Sequence, residues 1–166
     1  MNFSSGWHVL YVKSRCEKKV FDSLKEHFLK SFLPQVKTIR QWADRKKIVL
    51  KPLFPSYVFV YLDTPKDFYK ALSIQGACAY VRFGKEYPRV TEKEIAQIKL
   101  LIGDKHVSDL ITTSQLPKSG ETKTISNGPL CGLDCEILRA DSHEKIVVRI
   151  DSLKQNIVAT VPSYIL

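Results

Sequence analysis

The sequence predicts an α+β chain in two modules: an α/β sandwich with helices on a mainly antiparallel sheet, then a small β-barrel. Three observations predict this. Strand-like runs alternate with amphipathic helical stripes as far as Gly103. Residues 104–119 are polar and lack sustained periodicity. From Gly120 to Leu166, short β-rich runs are split by turn residues, the pattern of a small barrel. The modules are therefore read as 1–103 and 120–166, with 104–119 as linker.

Trp7 to Val12 is a first strand, with Trp7, Val9 and Tyr11 on one face and His8, Leu10 and Val12 on the other. Ser14-Arg15-Cys16-Glu17 has the S-x-x-E form of a capping box and should open a helix. Val20, Leu24 and Phe28 then recur every four residues beside Phe21, so the helix should run to about Lys30 with one apolar stripe. Phe32 to Trp42 reads as extended, Asp44-Arg45-Lys46-Lys47 as a charged turn, and Ile48 to Leu50 as the returning strand of a hairpin.

Pro52 to Leu62 is the most informative stretch. A turn with two prolines and Phe54 runs into Tyr57-Val58-Phe59-Val60-Tyr61-Leu62. β-branched and aromatic residues on both faces predict a central strand covered on both sides. Pro55 cannot donate to a ladder, so the turn lies at the strand's end, where Phe54 and Tyr57 should face outward as protein-docking anchors. The competing reading makes them core; Val58, Val60 and Leu62 are core on either reading.

Thr64-Pro65 starts a short helix that ends before Gly76 and packs through Phe68 and Leu72. Ala77 to Phe83 is another strand. Thr91-Glu92-Lys93-Glu94 is a second capping-box pattern, followed by Ile95, Ile98 and Ile102, with Gly103 as the stop. Leu116-Pro117-Lys118-Ser119 closes the linker. The barrel strands are read at Thr122–Ile125, Cys135–Leu138, Ile146–Ile150 and Ile157–Val161, with Asn127-Gly128-Pro129, Asp141-Ser142-His143 and Lys154-Gln155-Asn156 as turns.

Charge divides the chain sharply. Residues 1–103 hold 19 Lys+Arg against 9 Asp+Glu; residues 104–166 hold 7 against 8. The basic excess belongs to the first module, which suits a polyanionic partner. No run of about 18 apolar residues exists, so no membrane span is expected. The N-terminus lacks a signal-peptide pattern, and Cys16, Cys78, Cys131 and Cys135 form no disulfide framework, so a reducing cytoplasm is expected. Cys131 and Cys135 are a lone pair with His143 nearby and fall short of four zinc ligands; they read as small barrel residues. His8, His27, His106 and His143 have no catalytic partner at a motif spacing, and there is no Gly-rich phosphate loop. The chain reads as a binding protein, with no enzyme activity, metal or cofactor expected.

Four pieces, in order, resemble the NusG-type transcription elongation factors: Trp7-His8-Val9-Leu10-Tyr11, Pro52 to Val60, Val81-Arg82-Phe83-Gly84, and Gly120 with Asn127-Gly128-Pro129. The first three resemble the family's N-terminal (NGN) domain and the fourth its KOW domain. Leu53-Phe54-Pro55-Ser56-Tyr57 with the later Val81-Arg82-Phe83-Gly84 is similar to the specialised RfaH-like form, shared with the UpxY antiterminators of capsular polysaccharide loci. Cys135 stands where the KOW motif usually has a glycine. Asp151-Ser152-Leu153-Lys154-Gln155 stands where the general factor has the Phe-Gly-Arg loop that helps contact Rho and a ribosomal protein. The resemblance therefore argues against ordinary Rho binding and ordinary ribosome coupling, and leaves the KOW partner open.

The resemblance implies that Tyr11, Leu53, Phe54, Pro55 and Tyr57 grip the clamp helices of bacterial RNA polymerase. It implies that Lys13, Arg15, Lys18, Lys19 and Gln75 face non-template DNA or nascent RNA, with Gln75 where a relative has a DNA-contacting arginine. The competing reading of the lysines is a solvated helix face. The implied function is operon-specific antitermination, suppressing pausing or termination at a surface polysaccharide locus, by a monomer that a locus-encoded antagonist of UpxZ type opposes. A general NusG factor and a ribosome- or RNA-binding KOW protein are the alternatives. One relative's KOW domain switches between helical and barrel forms; the β-branched runs at 146–150 and 157–161 favour the barrel here.

Overall fold

The computed structural model describes residues 3–115, 120–140 and 143–166. The expected turn residues Asp141 and Ser142, and the Leu116–Ser119 segment, lie outside the described residues. Packing divides the chain into two compact units, Met1–Glu92 and Lys93–Leu166. The division comes at 92/93, where the sequence suggested 103/104.

The first unit is built on a four-stranded sheet of β1 (Gly6–Val12), β2 (Ser31–Phe32), β5 (Tyr57–Leu62) and β6 (Ala77–Tyr80), in the order β2-β5-β1-β6. β5 is central, as its apolar composition requires. β1 and β5 run antiparallel with Trp7 opposite Tyr61, Val9 opposite Phe59 and Tyr11 opposite Tyr57. Opposed residues share a face, so these six form one side of the sheet. Leu10, Val12, Val58 and Val60 form the other side. They pack with Val20 and Leu24 of α1 (Glu17–Glu26) and Phe68 and Ala71 of α2 (Pro65–Leu72).

Helix α2 starts as its sequence dictates. Asp67 N–H donates to Thr64 Oγ1, and Thr64 N–H donates to Asp67 Oδ2, a complete capping box with Pro65 in the first turn. Helix α1 differs from expectation at both ends. Its N-cap is Cys16, which makes no side-chain cap; Ser14 does not form the predicted capping box. It also stops at Glu26 rather than near Lys30. Leu29 N–H donates to Leu24 O and Phe28 N–H donates to Lys25 O, with Phe28 in the left-handed region at φ 59°. These are the two bonds of a Schellman stop, with Leu29 and Leu24 both in the core. Phe28, expected in the apolar stripe, is instead 94% exposed.

β3 (Gln35–Trp42) and β4 (Arg45–Pro52) make a separate two-stranded ribbon; β3 starts later than the extended run expected from Phe32, and β4 takes in Arg45, Lys46 and Lys47 of the expected turn. The predicted strand at 77–83 ends at Tyr80, and Phe83 lies beyond it in an isolated bridge with Glu86.

The second unit holds α3 (Glu92–Gly103) from Lys93 onward and a five-stranded antiparallel sheet. Its strands are β7 (Ser108–Thr113), β8 (Glu121–Thr124), β9 (Asp134–Ala140), β10 (His143–Ile150) and β11 (Gln155–Val161), in the order β7-β11-β10-β9-β8. The core holds Ile125, Leu130, Leu133, Ile146, Ile150, Leu153 and Ile157. Lys93 donates to Asp134 Oδ2 at 2.7 Å, and the Glu94 carboxylate accepts from Ser152 N–H and Oγ at 3.2 and 3.0 Å. These bonds tie the start of α3 to the second unit, which is why packing divides the chain at the first residue of the helix. Residues 108–113 of the expected linker are β7, paired along β11. Of the two thiols read as barrel residues, Cys135 is buried and Cys131 is exposed, its Sγ directed at Ser126 O.

Two outcomes follow from this packing. Replacing Phe28 by glycine relieves left-handed strain at the α1 stop and should raise stability by about 1 kcal/mol, read in urea unfolding. Burial pushes the Cys135 thiol up to about 11. At pH 8 a thiol-disulfide reagent should therefore titrate exposed Cys78 and Cys131 in the native protein and Cys135 only after denaturation.

Candidate functional site

The turn between β4 and β5 is fixed by backbone bonds at each step. Leu53 N–H donates to Pro34 O at 2.9 Å, and Tyr57 N–H closes the turn onto Phe54 O at 3.1 Å. Ser56 adopts φ 65°, in the left-handed region. A non-glycine residue there costs about 1–3 kcal/mol and persists only when its surroundings hold it. Two groups hold it here. Val12 N–H donates to Ser56 O at 2.8 Å, and Ser56 N–H donates to Glu17 Oε1 at 3.2 Å. Glu17 is itself buried at the first turn of α1, where the helix's N-terminal amides favour a carboxylate. The carboxylate that the sequence suggested would cap its own helix thus reaches across to the turn.

This turn arranges the aromatic side chains. Phe54 stacks on Tyr57 with ring centroids 6.4 Å apart and planes 11° apart, and tilts onto Phe59 at 5.6 Å. Tyr57 meets Tyr11 edge-on at 6.4 Å. Up the same face of the sheet, Phe32 packs on Phe59 at 5.7 Å and Trp7 on Tyr61 at 5.5 Å. The ladder emerges from the core at one end. Val9 and Phe59 are buried, Tyr57 is half-buried, and Tyr11 is 49% exposed. Burial first, and neighbouring Tyr11 second, raise the Tyr57 phenol above its usual value, so it is a neutral donor at physiological pH.

The predicted docking residues therefore divide. Tyr11 and Pro55 are exposed and Tyr57 is half-buried beside them. Leu53 and Phe54 are buried, Phe54 at 2% exposure. The outward Phe54 expected from its place next to Pro55 is corrected. The left-handed Ser56 folds the turn back so that the Phe54 ring lies against Tyr57 and Phe59, where it supports the exposed tyrosines.

The predicted basic residues come together at the junction of β1 and α1. Lys13, Arg15, Lys18, Lys19 and Gln75 are all exposed. Lys13 N–H donates to Gly76 O at 2.9 Å, which brings the Gln75-Gly76 turn against the start of α1. Gly76 has φ +100°, and a Cβ there would stand 2.9 Å from Val20 Cγ2, so only glycine fits this approach. Lys18 pairs with Asp22 at 2.9 Å on the open surface, a bond of little energetic consequence. Lys13, Arg15 and Lys19 have no carboxylate within ion-pair distance among the described residues.

Val12, one residue before Lys13, anchors the aromatic turn, and Glu17, two residues after Arg15, anchors it again. The aromatic and basic surfaces thus share one rigid junction. Sequence reasoning missed Glu17 as its organiser, because the S-x-x-E spacing had already supplied a local partner for that carboxylate.

Glu17→Ala should leave the Ser56 amide unpaired in a half-buried site and cost about 1 kcal/mol in urea unfolding. Glu17→Gln, which keeps an acceptor oxygen, should retain most of that stability.

The family model "Transcription termination factor nusG" matches residues 5–99. No curated protein matches the chain. A solved structure of Thermotoga maritima NusG, concerned with its domain interaction, is similar with a TM-score of 0.52 and 22% identity over 93% of each chain. Two conformations of the MjSpt4:Spt5 complex also match at 15% identity, with TM-scores of 0.34 and 0.35, covering 95% and 94% of this chain and 94% and 91% of theirs. The family match spans more than half of the chain, including both strands of the aromatic ladder and the whole β1–α1 junction, and the chain belongs to the NusG family.

Proposed function

We propose that this chain is a transcription elongation factor that docks on the clamp helices of RNA polymerase through Tyr11, Pro55 and Tyr57. Leu53 and Phe54 act beneath them as support. The observation that carries the reading is the emergence of a rigid aromatic ladder at a turn held from two sides. Aromatic side chains already fixed by their neighbours lose little entropy on binding, which suits them as interface anchors. Lys13, Arg15, Lys19 and Gln75, with Lys18 in part engaged by Asp22, face the nucleic acid exposed beside the docking site. The factor needs no chemistry: binding the closed, elongating polymerase in preference to the paused state shifts the balance toward elongation.

We further assign it to the specialised antiterminators of surface polysaccharide loci, with the second unit as a KOW-type barrel and a locus-encoded antagonist as competitor for the docking turn. The segment 151–155 supports specialisation over a general role. Leu153 is buried and Ser152 is occupied by Glu94, so this loop does not present the side chains of a Phe-Gly-Arg loop.

Tyr11→Ala and Tyr57→Ala should each weaken binding to purified clamp helices by about 2 kcal/mol, roughly thirtyfold, with the unfolding midpoint of Tyr11→Ala unchanged. Binding indifferent to both substitutions overturns the docking reading.

A further inference from the structure

We propose that the β3–β4 ribbon is a second nucleic-acid contact, an arm that enters the major groove of duplex DNA. This proposal is independent of the polymerase-docking reading. Among the described residues the ribbon pairs with no other strand, and its eight-residue strands extend about 26 Å. It carries Lys37, Arg40, Arg45, Lys46, Lys47 and Lys51 against one carboxylate, Asp44 in the turn. Among the described residues, none of the six cations has a carboxylate within ion-pair distance.

The register distributes these cations over both faces. Arg40 opposes Lys47, Trp42 opposes Arg45, and Val36 opposes Lys51, so Arg40, Arg45, Lys47 and Lys51 share one face with Trp42. Lys37 opposes Leu50, Ile39 opposes Ile48, and Gln41 opposes Lys46, so Lys37 and Lys46 flank an apolar row on the other. Ile39 and Ile48 in that row are 70% and 67% exposed. Trp42, near the tip, lies under the Lys47 ammonium at 5.8 Å.

Charge on both faces identifies the partner. A membrane surface or a single strand engages one face and leaves the other's cations unmatched. A B-form major groove is wide enough for a two-stranded ribbon and has phosphates along both walls. The apolar row would meet groove-floor groups such as thymine methyls. An A-form RNA duplex, whose major groove is deep and narrow, does not admit the ribbon.

The test is fluorescence anisotropy of the full chain with a labelled mixed-sequence DNA duplex over a series of salt concentrations. The comparison protein is the quadruple variant K37Q/R40Q/K46Q/K47Q, with circular dichroism as the check of folding. Losing four phosphate contacts should flatten the slope of log affinity against log salt by about 3–4. The milder K46Q/K47Q variant should flatten it by about 2. Duplex DNA should also quench the exposed Trp42 in the wild type. Equal slopes for the wild type and the folded variants overturn the proposal. So does a loss confined to single-stranded RNA or to phosphatidylserine vesicles with duplex binding intact, or a slope that responds only to K13Q/K19Q on the α1 face.

Discussion

The arrangement depends on the clamp around the Ser56 backbone. A left-handed serine is unfavourable by itself, and it is held because Val12 N–H takes its carbonyl while Glu17 takes its amide. The first bond joins the turn to the end of β1; the second joins it to the start of α1. With Ser56 so placed, Tyr57 enters β5 opposite Tyr11, and the Phe54 ring is set beneath it. The clamp therefore determines both the shape of the aromatic surface and its distance from the basic residues that lie between its two anchors in sequence.

The sheet explains why those aromatics can serve outside the core. Its two faces have different tasks, separated by the period-two alternation of β1 and β5. One face closes over α1 and α2 with aliphatic residues. The other carries Trp7, Val9, Phe59 and Tyr61, then ends in two tyrosines that still reach water. The buried part of the ladder stiffens the exposed part through edge and stacking contacts, each worth about 0.5–1.5 kcal/mol beyond area burial. An exposed aromatic surface continuous with a core in this way is pre-organised, because its side chains have already lost their freedom on folding.

The features legible in the sequence were those with a hydrophobic period or a complete local motif. β5 was recognisable from its composition and α2 from Thr64 and Pro65. Other features depended on partners far along the chain. Ser14 and Glu17 have capping-box spacing, yet the carboxylate goes to the amide of Ser56. Phe28 keeps the four-residue period of Val20 and Leu24, but the helix has already ended, and Leu29 takes the core position instead. β7 is an edge strand with polar residues and a register shift, so it looks like linker until its pairing with β11 is known. The ribbon's return strand is longer than expected for a related reason: most of its residues are exposed, so no clean alternation marks its length. Among the candidate site residues, exposure of Tyr11 and the basic group followed from their positions, whereas burial of Phe54 depended on the conformation of Ser56, which local composition does not specify.

The charge distribution connects these parts. The first unit holds the basic excess, and its structure spreads much of it over the α1 start and the two faces of the ribbon. Among the described residues, most of these cations have no carboxylate within ion-pair distance, so their field is not cancelled locally and extends over roughly one Debye length, about 8 Å at physiological salt. Such a field draws in polyanions from several directions but confers little sequence preference, since phosphate contacts position a protein while base-edge contacts specify its site. The aromatic turn has what the charge lacks, a shaped surface fixed by ring contacts, which suits the protein partner proposed for it. On the proposed reading, affinity for nucleic acid in general and recognition of a particular assembly fall to different side chains on one small unit.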